Sequence, residues 1–274
     1  MMDSVLLVEM AALLLAIGAL AGILAGLLGV GGGVVLVPGF YYAFASLGYE
    51  TPQLMQICLA TSLATIIVTS ARSVMSHHKK GAVEWGILKI WAPGIVLGAI
   101  AGKMTVSALN TTVLQYIFGG LLVFIGLYMT FGNKDFRVAN ELPKGLKGRV
   151  FSPFVGFLSV LMGIGGGSFG VPLLTMFGVP VHRAVATAAG FGFIIAVPSV
   201  AGFLMTSLPE GSAPPLNIGA VNIAAFLVVI TMTTFTAPIG AAIAHKTDAG
   251  KLKKFFGMFL ILIALNMLRK AILS

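Results

Sequence analysis

The chain has 274 residues, of which 58% are hydrophobic and only 9% are charged, and its mean hydropathy is +1.04. Because a soluble domain carries about 25% charged residues, this composition excludes an ordinary globular protein, a disordered chain and a nucleic-acid-binding protein. The formal net charge of +9 therefore indicates basic loops beside a lipid bilayer rather than a nucleic-acid partner.

Continuously apolar stretches follow one another along the chain and predict membrane helices. They do not alternate with polar residues, so strands are not expected, and helices satisfy their own backbone hydrogen bonds in lipid. Because a crossing needs roughly 20 residues, the second, sixth and seventh stretches are too short to span comfortably, and a count of eight crossings stays open beside ten. The stretches cover 5–28, 34–47, 54–75, 83–102, 111–131, 150–163, 168–178, 184–206, 217–244 and 255–272.

The positions of the basic residues favour ten crossings. With five crossings per half, the loops that contain Lys79, Lys144 and Lys251 and the segment edge at Arg183 lie on one side of the membrane. The positive-inside rule makes that side cytoplasmic and leaves both termini outside. The chain is therefore expected to be a multi-pass protein of the cytoplasmic membrane.

A glycine-rich motif occurs twice and is the strongest sign of an internal repeat. GVGGGVVLVP at 29–38 recurs as GIGGGSFGVP at 163–172, so each copy has three adjacent glycines and a proline at the same offset. Shorter matches follow in the same order. They pair 60–62 with 186–188, 81–83 with 219–221 and 118–119 with 256–257.

These matches predict two transmembrane repeats, 1–131 and 150–274, joined by a basic cytoplasmic linker at 132–149. If each repeat crosses the membrane an odd number of times, the two are inverted relative to each other. The expected fold is therefore an all-α polytopic helical bundle of two inverted repeats with discontinuous helices at glycine-rich breaks. This architecture recurs in secondary transporters, whose substrate site lies between the repeats near the midplane.

The two glycine triplets are the main candidates for that site. Each glycine costs a helix roughly 1 kcal/mol relative to alanine, and Pro38 and Pro172 discourage helix just before them. A half-helix that begins after a break presents free N–H groups and a positive dipole end, which suit a small anion. The alternative interpretation is that the glycines only allow close helix packing. The candidate residues are Gly31, Gly32, Gly33, Gly165, Gly166 and Gly167.

Hydroxyl groups near the breaks extend the candidate site. Thr61, Ser62 and Thr187 lie in segments that should face the breaks, and Ser168 directly follows the second triplet. Their hydroxyls could coordinate an oxyanion, or they could bond to a carbonyl one turn back in their own helix. With a single cysteine and scattered acidic residues and histidines, the sequence predicts no metal site, no cofactor and no enzyme.

The paired motifs, together with Ala-Thr-Ser-Leu at 60–63 and Gly-Ala-Val-Glu-Trp at 81–85, resemble the TauE/SafE family of sulfite exporters over about 5–272. In the second copy Ala188 replaces the serine of that pattern. The resemblance implies a secondary transporter that exports small sulfur-containing anions such as sulfite, sulfoacetate or related organosulfonates. The expected partners are the small anion and the bilayer, with a homo-oligomer left open. A passive channel, an importer of the same anions and a structural membrane subunit remain alternatives.

Overall fold

The computed structural model describes residues 4–28, 32–132, 139, 150–209, 213–244, 247 and 249–273. Within these residues the chain forms ten α-helices and one two-stranded hairpin, which confirms the all-α class. In chain order the elements are α1 (Ser4–Leu28), α2 (Gly33–Ser46), α3 (Leu54–Lys79), α4 (Trp85–Ala108), α5 (Thr111–Phe131), α6 (Phe151–Leu161), α7 (Gly167–Met176), α8 (Val181–Leu204), β1 (Asn217–Ile218), β2 (Val221–Asn222), α9 (Ile223–Ala244) and α10 (Ala249–Leu273).

Helix length separates two kinds of segment. In the described part of the chain, seven helices are long and apolar enough to cross a membrane, namely α1, α3, α4, α5, α8, α9 and α10. The other three, α2, α6 and α7, have only 14, 11 and 10 residues. These three are the stretches that the sequence marked as too short to span, and they are the helices next to the glycine triplets.

The predicted helical segment 217–244 begins with a β-hairpin, so the expectation of no strands is wrong at this point. Asn217 pairs with Asn222 and Ile218 pairs with Val221 around a turn that contains Gly219. The side-chain oxygen of Asn222 accepts a 2.8 Å hydrogen bond from the backbone N–H of Ala225. This is the bond of an N-cap residue, and it explains why α9 begins only at Ile223.

The two halves of the bundle pack together through reciprocal pairs of helices. The first helix of each half packs along the fourth helix of the other, so that α1 lies on α9 and α6 lies on α4. The third helices, α3 and α8, pack against each other, and so do the fifth helices, α5 and α10. This reciprocal packing is expected of two related five-helix units.

Glycines allow the closest of these contacts. A Cβ atom at Gly98 of α4 would overlap the backbone of Pro153 in α6, and one at Gly240 of α9 would overlap the backbone of Ile23 in α1. Small residues are what helices use to approach closely where lipid offers no hydrophobic driving force. The high glycine content therefore serves helix packing at these positions, separately from the two breaks.

Helix α3 is the centre of the bundle. Every residue from Leu54 to Ile66 is buried, and these residues contact α2, α8 and the strand before α9. The candidate residues Thr61 and Ser62 lie in the middle of this buried stretch. Their polar groups therefore need partners inside the protein.

Candidate functional site where the two helix breaks meet

Both glycine triplets interrupt the helices, and the two breaks touch. Helix α2 begins at Gly33 and α7 begins at Gly167. A Cβ atom at Gly33 would lie only 2.7 Å from the carbonyl oxygen of Gly163 and 3.1 Å from the Cα atom of Ile164. The two sequence motifs, which are 134 residues apart, are thus brought together with no room for a side chain between Gly33 and Gly163. Gly31 lies outside the described residues.

The half-helices that follow the breaks begin without a side-chain cap. Gly32 is the N-cap of α2 and Gly166 is the N-cap of α7, and a glycine has no side chain to accept from the first-turn N–H groups. The first four N–H groups of a helix have no intrahelical partner. Both half-helices therefore carry uncapped, positively polarised ends at the breaks.

Ser62 connects α3 to the second break. Its buried hydroxyl donates a 2.7 Å hydrogen bond to the carbonyl oxygen of Gly163. In this structure the hydroxyl hydrogen is therefore already donated to a backbone carbonyl. The matching residue in α8, Ala188, has no hydroxyl, and its carbonyl oxygen would lie 3.0 Å from a Cβ atom at Gly166.

Thr61 and Thr187 make the same contact from opposite halves. The hydroxyl of Thr61 accepts a 2.9 Å hydrogen bond from the backbone N–H of Asn222. The hydroxyl of Thr187 accepts a 3.0 Å bond from the backbone N–H of Glu84. Each threonine thus holds the start of the fourth helix of the other half, and each hydroxyl can still donate its own hydrogen.

Ser168 stands in the first turn of α7 with a buried hydroxyl that has no hydrogen-bond partner within the described residues. Gly165 lies just before that turn in a less crowded position. A Cβ atom there would meet Ile66 at 3.5 Å, Gly192 at 3.8 Å and the hydroxyl of Ser70 at 3.9 Å, all ordinary contact distances. The second break therefore has both a free hydroxyl and space beside it.

The space beside the triplet glycines differs sharply from one position to the next. A Cβ atom at Gly166 would overlap Phe191 of α8, so this glycine is required for packing. Gly32 has only ordinary contacts, the nearest being the carbonyl oxygen of Ala21 at 3.4 Å. Among Gly32, Gly33, Gly165 and Gly166, Gly165 is the least crowded position, where an added Cβ atom would make only ordinary contacts.

Sequence reasoning missed Ser70. Its hydroxyl lies close to both Gly165 and Gly192, where α3 and α8 face the second break. Ser62 and Ser70 are two helical turns apart on α3 and so share one face of the helix. That spacing is a signal that could have identified Ser70.

Similarity to known proteins identifies the family of this chain. Residues 14–267 match the family model described as Sulfite exporter TauE/SafE. This chain belongs to the TauE/SafE family. It is therefore a multi-pass membrane transporter and not an enzyme.

Curated relatives of this TauE/SafE chain cover nearly its whole length. A Haemophilus influenzae protein named "Probable membrane transporter protein" is 33% identical, with 94% of this chain and 98% of the relative covered. Relatives with the corresponding name from Methanocaldococcus jannaschii and Bacillus subtilis are 29% and 28% identical, over 93% and 96% of this chain and 94% and 98% of the relatives. No solved structure matches the chain.

The TauE/SafE chain also has a polar cavity of about 320 Å³ beyond the C-terminal half of α2. An ion pair crosses its mouth, because Nζ of Lys270 lies 2.9 Å from the carboxylate of Glu50. A second ion pair joins Arg183 to Glu84, at the start of α8. The cavity is lined by residues that include Tyr41, Glu50, Thr51, Thr111, Gln115 and Lys270.

Proposed function

We propose that the chain exports a small sulfur-containing anion, such as sulfite, sulfoacetate or a related organosulfonate, across the cytoplasmic membrane by alternating access. Membership of a family described as sulfite exporters supports the substrate class. The single observation that carries the site is the contact between Gly33 and the Gly163 carbonyl, which joins the two helix breaks. A solute bound beside this contact would touch both halves at once.

The breaks supply positive potential without a fixed cation. Each uncapped helix N-terminus behaves as roughly half a positive charge, and the start of α2 lies against the break that precedes α7. The hydroxyl of Ser168, which has no partner within the described residues, adds a donor, and Gly165 is less crowded than the neighbouring Gly166. These features favour an anion over a neutral or cationic solute.

The proposed site residues fall into three groups: residues that contact the anion, residues that hold the surrounding backbone, and glycines that form the opened backbone. Gly165 and Ser168 contact the anion, together with the backbone N–H groups at the start of α2 and α7. Ser62, Thr61 and Thr187 hold the surrounding backbone, Ser62 through Gly163 and the two threonines through the starts of α9 and α4. The backbone group consists of Gly31, Gly32, Gly33, Gly166 and Gly167.

The reciprocal packing of the two halves supports the proposal of alternating access. If the repeats are inverted, rocking one five-helix unit against the other opens the junction first to one side and then to the other. The membrane potential then favours export, because an outward-moving anion gains about 2.3 kcal/mol per charge per 100 mV. No coupling ion is required in principle.

Flux into proteoliposomes tests the site. Gly165→Leu fills the space beside the break and is expected to abolish uptake of radiolabelled sulfite or sulfoacetate while the protein still inserts. The control is Gly120→Leu in α5, where a Cβ atom would meet nothing within 4 Å. Undiminished flux in the Gly165 variant would refute the site.

The same preparation tests the mechanism and its direction. A carrier saturates with anion concentration and shows counterflow, whereas linear flux without counterflow would show a channel. Cells that produce the chain should lose preloaded labelled sulfite faster than matched cells without it. Faster net accumulation in the producing cells would show an importer and contradict export.

A further inference from the structure

We propose that the cavity beyond the C-terminal half of α2 is a second site for a small oxyanion, in which the Glu50 carboxylate occupies the anion position until a solute displaces it. This outer cavity is formed by the loop before α3, the first turns of α5 and the end of α10. The inference depends on the proposed function only for the choice of sulfur oxyanions as its ligands.

The ion pair at the cavity has one fixed and one loosely held partner. Nζ of Lys270 lies 5.0 Å from the ring centroid of Tyr41, a cation–π contact that holds the ammonium over a buried side chain. The Glu50 side chain is 62% exposed and stands in the loop between α2 and α3. An exposed ion pair contributes only about 0–1 kcal/mol. An oxyanion that also accepts hydrogen bonds from other groups of the cavity can therefore replace the carboxylate.

Those additional donors are present and unused. Gln115 is only 1% exposed and lines the cavity, yet its side-chain NH₂ group has no partner within the described residues. The hydroxyl of Thr51, on the same cavity, is likewise buried without a partner. Both atoms are covered by protein, so each side chain must turn toward the cavity to donate to a solute. Because a buried donor without a partner costs about 1–3 kcal/mol, a ligand that accepts from these groups offsets that cost.

Other polar groups of the cavity are already committed and form its frame. The hydroxyl of Thr111 donates to the carbonyl of Thr51 and accepts from the N–H of Met55. The side-chain oxygen of Asn110 caps α5 by accepting from the N–H of Val113. The loop before α3 is thereby held against the start of α5, which fixes the positions of the free donors.

The size of the cavity limits the ligand. A volume of about 320 Å³ is at the lower end of the range of small-molecule sites. It suits a tetrahedral oxyanion with some water rather than a large organic anion. On the predicted topology the loop before α3 lies outside, so the cavity holds an anion on the side to which export delivers it.

Protection of a single cysteine from labelling tests this site separately from transport. Thr112 lines the cavity and is half-buried, whereas the native Cys58 is fully buried. In Thr112→Cys protein, a membrane-impermeant thiol reagent should label Cys at 112, and sodium sulfate should slow that labelling. Sodium chloride at equal ionic strength is the control for screening.

Substitutions of the ion pair should change the sulfate concentration that halves the labelling rate. Glu50→Gln should lower it several-fold, because a competing negative charge is removed. Lys270→Gln and Gln115→Leu should each raise it about tenfold, as expected when one charge-assisted or buried hydrogen bond is lost. Glu84→Gln at the other ion pair is the matched control and should leave it unchanged.

Two outcomes would overturn the proposal. Sulfate could fail to protect Thr112→Cys although the reagent labels it, or Glu50→Gln and Lys270→Gln could shift protection in the same direction. A thermal-unfolding scan of each variant identifies those that fail to fold. If Gly165→Leu abolishes flux but keeps sulfate protection, the outer site and the break site are separate; if flux is unaffected while protection is present, only the proposed break site fails.

Discussion

The hydroxyl of Ser62 donates a 2.7 Å hydrogen bond to the carbonyl oxygen of Gly163, which is 101 residues further along the chain. Gly163 lies beyond Met162, the C-cap residue of α6, so its carbonyl is in the break and outside the hydrogen-bond series of the helix. Ser62, in the first half of the chain, thus donates a hydrogen bond to a backbone carbonyl at the helix break of the second half. Since Ala188 stands at the matching position of α8, the two halves are not equivalent at this junction.

Ser62→Ala should lower the free energy of unfolding by about 1–3 kcal/mol, because a buried carbonyl loses its partner. Thermal unfolding of the purified protein in detergent measures the change. Ser199→Ala is the control, since the equally buried Ser199 donates within its own helix, to the carbonyl of Ile195 that already belongs to α8. An equal loss in both variants would mean that the bond to Gly163 is not special.

Thr61→Val and Thr187→Val should both destabilise the bundle, but by different amounts. Valine keeps the shape and removes the oxygen that accepts from Asn222 or Glu84. The hydrogen bond from Asn222 is fully buried, whereas the hydrogen bond from Glu84 is only partly buried. We therefore expect a loss of about 1–3 kcal/mol for Thr61→Val and a smaller loss for Thr187→Val.

Denaturant or thermal unfolding of the two threonine variants side by side measures this difference. Thr231→Val is a suitable control, because the Thr231 hydroxyl is exposed and donates only to the carbonyl of Leu227 in its own helix. The larger loss falling on Thr187→Val would contradict the assigned roles of the two hydroxyls.

Much of the fold follows from the sequence. The length of each apolar stretch predicts the long helices. Three adjacent glycines followed by a proline predict a break in the helix that contains them. The repeat adds that both breaks serve one purpose, which led to the expectation that they meet. The observed contact between Gly33 and Gly163 agrees with it.

The sequence does not show which residues form hydrogen bonds or ion pairs with each other across the bundle. Helical periodicity gives the face on which Thr61 lies but not which backbone N–H reaches that face from the loop before α9. Glu50 and Lys270 are 220 residues apart, and no sequence pattern connects a carboxylate in the loop before α3 with an ammonium near the end of α10. Their cavity depends on how the loop before α3 is held against α5, which is a property of tertiary packing.

Gly98→Ala should disrupt the contact between α4 and α6. The added methyl group would overlap the carbonyl of Pro153, and backbone cannot move aside as a flexible side chain can. Overpacking of this kind costs about 1–3 kcal/mol or more. Gly120→Ala adds the same methyl group inside α5 where nothing lies within 4 Å, so it should not destabilise and should gain up to about 1 kcal/mol from the better helix propensity of alanine. The yield of monodisperse protein on size exclusion and its unfolding temperature compare them, and indistinguishable behaviour would contradict the packing role.

Gly81 and Gly219 occupy the same place in the two repeats and both have positive φ, 65° and 56°. Alanine at either position pays a backbone strain of about 1–2 kcal/mol. At Gly81 nothing lies within 4 Å of a Cβ atom, so strain is the whole effect. At Gly219 the Cβ atom would also overlap the carbonyls of Phe203 and Leu204 at the end of α8, so Gly219→Ala should be clearly more destabilising.

Asparagine separates strain from crowding at these two turns, because it tolerates the left-handed conformation better than alanine does. Gly81→Asn should therefore recover part of the stability that Gly81→Ala loses. Gly219→Asn should recover none, since its Cβ atom meets the same two carbonyls. Thermal unfolding of the four variants measures both comparisons. Recovery at Gly219 as large as at Gly81 would mean that the hairpin before α9 has room to move away from α8, and that its tight seating does not set the position of Asn222 beside Thr61.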